Sequence, residues 1–473
     1  MSLARSIAYN ALLQTIAKIV STIFAIIAFG VMARYLGTQG FGAYATITAF
    51  LQLFGILVDM GLTVISIQMI SEAGADAKKN FHNLFTLRLF SAIAIYLIAP
   101  AFALLLPYPD DVKIGIAIMA PSFFLSSLIQ ISTATYQAQV KMLAPVIAEI
   151  VSKVVLIGGI AVAALLDWGL FGVLAMILLN NVAQWLILVV WNAHWRWLRL
   201  AFDWDIWRDI FIRSWPIALS ILCNVVYLRA DTVILSLTRS QEEVGLYGAA
   251  FRVLEVTMTL PIMFMGLTLS SFTRAWSTHD RASFTRYFQK SFDVMALGAF
   301  PLMVGTWFVG TDLMVLITGE SFREAGEILK LLIIAVGAIF FGSLFGHLIN
   351  IVHAQRRMLI GYATVAGIGL IAYLVFIPTY SYWAAALITI AAEVAVALIG
   401  FFVLYAKTHV APSWSLTGKT LVSSAAMGIF LYAFPQWHLA AKITGGALVY
   451  VAALFATGGL TKQLVISLLP SKR

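Results

Sequence analysis

Charge is scarce in this sequence: Asp, Glu, Lys and Arg make up 11% of its 473 residues, against about 25% in a soluble domain. So few ionised groups cannot cover a globular surface, which excludes an ordinary water-soluble fold. Cysteine is nearly absent. The one residue, Cys223, sits in an apolar stretch and supports neither an internal disulfide nor a thiolate metal cluster. There is no G-x-x-x-x-G-K-[ST] stretch, so ATP hydrolysis by this chain is not supported. Long polar segments are missing too; the clearest outer loops are PYPDD (Pro107 to Asp111) and TGESF (Thr318 to Phe322). No Ser/His/Asp or Cys/His set falls on an aqueous loop, and a membrane glycan polymerase or ligase would need a sizeable one. These absences argue against an enzyme, and neither cofactor nor metal is expected.

What the chain has is apolar length. Hydrophobic residues make up 62%, the mean hydropathy is +0.95, and a bilayer crossing takes about 20 such residues. Runs between charged or Pro/Gly-rich breaks predict an all-α polytopic membrane protein of about fourteen transmembrane helices. They start near Tyr9, Phe41, His82, Lys113, Met142, Gly169, Ser214, Val244, Ser291, Ala325, Met358, Ser381, Thr417 and Ala440. The first run carries Asn10, Gln14 and Lys18 and no small-residue cleavage site, so it reads as a retained span and not a removed signal peptide.

The net charge of +9 would suggest nucleic acid in a soluble protein, but topology accounts for it. With fourteen spans, nineteen of the thirty Lys and Arg fall on the side of the termini, six on the other and five inside spans. Among the nineteen are Arg196, Arg274, Arg356, Lys462, Lys472 and Arg473. By the positive-inside rule both termini are cytoplasmic, and no nucleic-acid partner is expected.

Residues 194–213 (HWRWLRLAFDWDIWRDIFIR) read as an interfacial amphipathic helix, with Trp204, Trp207, Phe211 and the following Trp215 on one face and Arg208, Asp209 and Arg213 on the other. Taken as a linker, this helix divides the chain into a six-helix bundle over 1–193, a second over 214–406, and two additional transmembrane helices over 407–473. An internal repeat agrees with that division. Gly42-Ala43-Tyr44 recurs as Gly245-Leu246-Tyr247, and AQVKM (Ala138 to Met142) as AQRRM (Ala354 to Met358), at offsets of 203 and 216 residues. Six spans separate the copies, so the repeat is parallel, about an axis along the membrane normal.

At these residues the chain resembles the polysaccharide transporter family of the multidrug/oligosaccharidyl-lipid/polysaccharide exporter superfamily, which includes O-antigen and other lipid-linked oligosaccharide flippases. The resemblance is carried by ARYLGTQGFGAYATITAFLQLFGILVDMGL (Ala33 to Leu62) and RADTVILSLTRSQEEVGLYGAAFRVLE (Arg229 to Glu255). Within them are Gly42 to Tyr44, an Asp-x-Gly-Leu at Asp59 to Leu62, Asp231, and Gly245 to Tyr247. It implies two six-span bundles facing a central cavity, two extra C-terminal spans, and alternating access that moves a polyprenyl-diphosphate-linked glycan outward across the bacterial inner membrane. A polysaccharide polymerase and chain-length machinery are the implied partners, beside the lipid-linked substrate and membrane lipid.

The charges inside spans are the candidate site. Arg229, Arg252 and Glu255 lie about 12 to 17 Å below the turn joining spans seven and eight, at a rise of about 1.5 Å per residue. A charge in hydrocarbon costs at least about 2.5 to 3.5 kcal/mol, so such a level implies a wet cavity or mutual pairing. A diphosphate calls for fixed cations, and Arg offers phosphate a bidentate fork. Arg252, then Arg229, Lys18 and Lys153 are the candidate substrate-binding residues. Pairing stays open beside that role: Arg252 with Glu255 at i,i+3, Arg229 with Asp231 or Glu255, Lys153 with Glu149 one turn earlier. Lys18 has no local partner and can alternatively snorkel, as Arg88 near the cytoplasmic edge is expected to do.

Glu393, Asp59, Glu255 and Asp231 are the candidate ion-coupling carboxylates, since gain or loss of a proton can bias one conformation. Glu393 lies near mid-span with no local cation. His347 and His353 flank Asn350 in LFGHLINIVHAQ without an accompanying Cys or carboxylate, and read as a hydrogen-bonded helix end, not a metal site. Gly342 and Gly346 read as helix packing, and Pro261 and Pro301 as kinks within their spans. The rival within transport is a multidrug cation exporter, disfavoured by five in-span cations; a scaffold without transport would tolerate loss of Arg252.

Overall fold

The computed structural model describes residues 3–72, 76–139, 141–191 and 199–460. Arg196, Lys462, Lys472, Arg473, Val140 of the first repeat and the start of the linker, 194–198, lie outside the described residues. The described residues form thirteen α-helices, one 3-10 turn and no strand. That is what a bilayer demands, since every backbone group in hydrocarbon must be satisfied within its own segment.

Ten helices are long and apolar enough to cross a membrane. Two of them, α1 (Leu3–Asp59) and α11 (Gln355–Thr408), are each two rods joined without a loop. The break in α1 is at Gly37 (φ 67°, ψ −176°), a conformation open to glycine because it has no Cβ. The break in α11 is at Ser381 (φ 54°), where a serine is held in the left-handed region. With the rods counted separately and the ten-residue α2 (Leu62–Ser71) set aside, the described helices follow the fourteen expected spans in order. However, α7 (Trp204–Thr238) and α9 (Arg281–Thr318) begin well ahead of the expected Ser214 and Ser291, and α7 and α12 (Ser415–Ala433) are not among the ten. α8 (Gln241–Ser277) and α9 each run as one helix that contains its proline, Pro261 and Pro301.

The chain divides into two compact units. Unit 1 comprises Met1–Gly248 with Leu370–Tyr382; unit 2 comprises Ala249–Gly369 with Trp383–Arg473. In unit 1, α1, α3 (Ala77–Ala103), α4 (Asp110–Ala138) and α6 (Gly169–Trp191) enclose an apolar core centred on Ile47, Leu51, Ala92, Val112, Ile116 and Leu174, all fully buried. α5 (Leu143–Leu165) packs beside α6; a Cβ on Gly159 would lie 2.7 Å from Met176 Sδ. A second cluster joins α2, α3 and α4 to the start of α7 (Trp204–Thr238), which inserts the fully buried Ile210.

Within the described part of the amphipathic segment there is no separate helix: 204–213 form the first turns of α7 and 199–203 lead into it. Trp204 (65% exposed), Phe211 (44%) and Trp215 (62%) face outward from it. The strap leading into α7 is tied to α3 by Lys79 Nζ to Asp203 Oδ2 at 2.5 Å, Asp203 N to Asn83 Oδ1 at 2.8 Å and Ala201 N to Thr86 Oγ1 at 2.9 Å. Asp203 also caps α7, accepting from Asp205 N and Ile206 N. The Lys79 ammonium bonded to it holds the Asp203 carboxyl below its usual value.

In unit 2, α9 and α10 (Arg323–Ile351) run antiparallel and close. A Cβ on Gly326 would overlap Thr311, one on Gly337 would overlap Met303, and one on Gly298 would lie 2.9 Å from Phe340. The second rod of α11 lies parallel to α10, with Phe345 against Gly400 and Phe401. α12 (Ser415–Ala433) and α13 (Leu439–Ala456) pack on α9, where Gly428 admits Val304 and Phe308. Lys442 Nζ reaches Asp312 Oδ2 at 2.7 Å, and Tyr450 donates to the Leu297 carbonyl at 3.0 Å.

Candidate functional site: charged groups within the helices

The two copies of the repeated Gly-x-Tyr meet in unit 1. A Cβ on Gly42 would overlap the Gln241 carbonyl, and one on Gly245 would overlap the Thr38 carbonyl. The backbones of α1 and α8 touch there because both positions lack side chains. Thr46 donates to Gln241 Oε1 at 2.8 Å beside the crossing. One turn on, a Cβ on Gly248 would lie 3.0 Å from Ala45 Cβ.

Asp231 is fully buried just before this crossing. It accepts from Tyr247 Oη at 2.5 Å and from Thr232 N at 2.5 Å and Oγ1 at 3.1 Å. Arg229, half-buried two residues earlier, interacts electrostatically with it. The Tyr of the second repeat copy thus ties α8 to the carboxylate of α7. Tyr44 of the first copy instead packs its ring 5.5 Å from that of Phe41.

Asp59 and Arg88 form a second polar network in unit 1. Arg88 is 2% exposed, so it does not snorkel; a partner far along the chain holds it. Nη1 donates to Asp59 Oδ1 at 2.5 Å, Nε to Ser127 Oγ at 2.7 Å and Nη2 to Gln130 Oε1 at 2.8 Å. Asp59 also accepts from Thr63 Oγ1 at 2.5 Å and Gly61 N at 3.2 Å. The Asp-x-Gly-Leu stretch is thereby explained: Met60 (φ 40°) and Gly61 (φ 76°) turn the chain from α1 into α2, and the Asp59 carboxylate closes the turn while anchoring Arg88. Ser127 and Gln130 carry no charge and stand about 40 residues further along the chain. No sequence signal marked them.

Lys18 is exposed on the first rod of α1 and Lys153 is half-buried on α5. In unit 2, Arg252 Nη1 meets Glu255 Oε2 at 2.8 Å within α8, the i,i+3 pair anticipated from spacing; the Arg252 side chain is nevertheless 41% exposed. Glu393, in the second rod of α11, is 5% exposed, and its Oε1 has no hydrogen-bond partner among the described residues. His347 Nδ1 sits 2.8 Å from the Ser343 carbonyl, and His353 is exposed at the α10–α11 turn, so they do not converge on one site. No group of three or more His, Cys, Asp or Glu able to hold a metal ion occurs among the described residues.

These features define a polytopic, all-helical membrane protein with the fold of the multidrug/oligosaccharidyl-lipid/polysaccharide (MOP) exporters. The structure is similar to a solved lipid II flippase, MurJ, in an inward closed conformation, with a TM-score of 0.78 and 15% identity, covering 93% of this chain and 98% of that one. It is similar to an inward-facing multidrug resistance transporter of the MATE family, with a TM-score of 0.70 and 13% identity, covering 84% of this chain and 98% of that one. A Pyrococcus furiosus transporter of the MOP superfamily, described as having a binding pocket of reversed polarity, aligns with a TM-score of 0.62 and 14% identity over 85% of this chain and 95% of its own. No curated protein matches the chain by sequence. Residues 31–327, well over half of the chain, match the family described as polysaccharide biosynthesis protein, and the chain belongs to that family.

Proposed function

We propose that the protein translocates a polyprenyl-diphosphate-linked oligosaccharide outward across the bacterial cytoplasmic membrane by alternating access, for surface polysaccharide biosynthesis. The observation that carries this reading is Arg252: a guanidinium at membrane depth, salt-bridged to Glu255 yet 41% exposed. Such a group is tolerated where water or an anionic ligand reaches it, and its planar fork suits phosphate oxygens. Arg229, Lys18 and Lys153 are further contacts for the diphosphate. Membership of a polysaccharide biosynthesis family supports a glycan cargo. Both termini lie in the cytoplasm in this reading, and a polymerase with its chain-length machinery takes the cargo outside. Glu393, a buried carboxyl with an orphan oxygen, is the candidate for coupling to a proton or sodium gradient.

The test is flipping of a fluorescent polyprenyl-diphosphate glycan by purified protein in liposomes, comparing wild type with Arg252→Ala and Lys18→Ala. Flipping by wild type with loss in either variant supports the reading. The MATE-like fold leaves one specific rival, cation export; drug efflux without glycan flipping in the same vesicles would establish it instead.

A further inference from the structure

Unit 2 carries a strongly basic end. The α8–α9 turn presents Arg274, Arg281, Arg286 and Lys290, all exposed. Because α10 runs antiparallel to α9, the α10–α11 turn lies at the same end and adds the exposed Arg356 and Arg357. The α11–α12 connection is pinned there as well: Ser413 N donates to Gln289 Oε1 at 2.7 Å, and Gln289 Nε2 donates to the Ser413 carbonyl at 3.0 Å. It follows the exposed Lys407. None of these seven cations forms an ion pair among the described residues. Two carboxylates stand at this end: Asp280 caps α9 through Ser283 N at 2.9 Å and interacts electrostatically with Arg286 without an ion-pair contact, and Asp293 accepts from Gln289 Nε2 at 2.8 Å.

In unit 1 the exposed basic residues are divided: Lys78, Lys141, Arg199 and Arg208 form no ion pair among the described residues, whereas two others do. Lys79 is paired with Asp203, and Arg213 with Asp209 at 2.9 Å and Glu72 at 3.3 Å. Topogenesis requires cations near one face; it does not require that they lack partners. Aromatic rings beside the bare cations set their level. Trp414, 64% exposed, stands edge-on to Phe292 at 5.3 Å, and Tyr405 is 42% exposed. Exposed Trp and Tyr next to Lys and Arg are the composition of a membrane–water interface, where phosphate headgroups are the available anions.

We propose that the end of unit 2 formed by the α8–α9 turn, the α10–α11 turn and the α11–α12 connection is a binding surface for anionic phospholipid headgroups. The cargo is a separate ligand, and this surface does not depend on which cargo is carried. The lipid phosphates supply the counter-charge that no ion pair among the described residues gives these seven clustered cations.

The experiment uses the full chain, purified in detergent and titrated separately with phosphatidylglycerol and phosphatidylcholine, with retained lipid counted by native mass spectrometry. Wild type should retain phosphatidylglycerol over phosphatidylcholine by at least about tenfold, and high salt should erase the preference because exposed charges are screened. The variant R281Q/R286Q/R356Q/R357Q should retain the two lipids about equally, whereas K79Q/R213Q, which removes two cations already paired within unit 1, should behave as wild type. Equal retention of both lipids by wild type would overturn the proposal, whatever the variants do. So would an undiminished, salt-insensitive preference in the quadruple variant. The wild-type salt arm needs no variant to fold, and neither arm depends on flipping.

Discussion

Gly42 and Gly245 stand where α1 crosses α8, each with the other helix's backbone in the place a Cβ would take. Gly42→Ala and Gly245→Ala should each destabilise the protein, because overpacking against backbone costs about 1 to 3 kcal/mol. Thermal unfolding in detergent should show melting temperatures lowered by several degrees. An unchanged value for Gly245→Ala would mean that the crossing is not formed in the solubilised protein.

Arg88 and Asp59 should be far more sensitive. Removing one partner of a buried ion pair leaves an uncompensated charge and costs about 3 to 5 kcal/mol. Arg88→Gln and Asp59→Asn should therefore each reduce the folded yield sharply, and the double variant should lose less than the sum of the two. Arg88→Lys should not rescue, since one ammonium cannot reproduce a planar fork serving Asp59, Ser127 and Gln130 together. Full additivity in equilibrium unfolding would refute the pairing.

The strap over 199–203 should loosen in acid. The folded Asp203 carboxyl is held below the ordinary carboxylate value by Lys79, so its contribution is complete above the unfolded value of about 3.9 and fades as pH falls through the lower folded value. Hydrogen exchange of Ala201 and Asp203, whose N–H groups bond Thr86 and Asn83, should lose protection relative to the intrinsic rate at the same pH below about pH 4. In Asp203→Asn it should be fast already at neutral pH. Exchange in wild type that ignores acid would remove the carboxylate from the account.

How much of this was legible in the sequence follows from how far apart partners lie along the chain. The order of the spans and most of their starts were readable because apolar length is a local property, and so was the Arg252–Glu255 pair, three residues apart on one helix face; the polar first turns of α7 and α9 were not. The pairs closed by folding were not. Arg88 was read as snorkelling because its partner is 29 residues away, and Tyr247 was read as a motif residue with no hint that its hydroxyl serves Asp231. The repeat told that two Gly-x-Tyr copies exist; only packing tells that they touch. Spans were expected to start near Phe41 and Ser381, whereas a single positive-φ residue, Gly37 in α1 and Ser381 in α11, joins two rods without a loop.

Glu393 gives the sharpest separation between stability and function. Burial of a carboxyl oxygen with no partner costs roughly 1 to 3 kcal/mol even when the group is neutral, and more when it is charged. A group with so unfavourable a setting, and no ion pair among the described residues, contributes nothing to stability there. Glu393→Gln keeps the shape and removes the charge, so its melting temperature should equal or exceed that of wild type. If Glu393 carries the coupling ion, the same variant should flip substrate in liposomes at a rate that no longer responds to an imposed proton or sodium gradient. Normal transport by Glu393→Gln with wild-type pH and sodium dependence would end its candidacy. A variant that is both less stable and normally coupled would show that Glu393 is a packing residue whose orphan oxygen finds its partner in water.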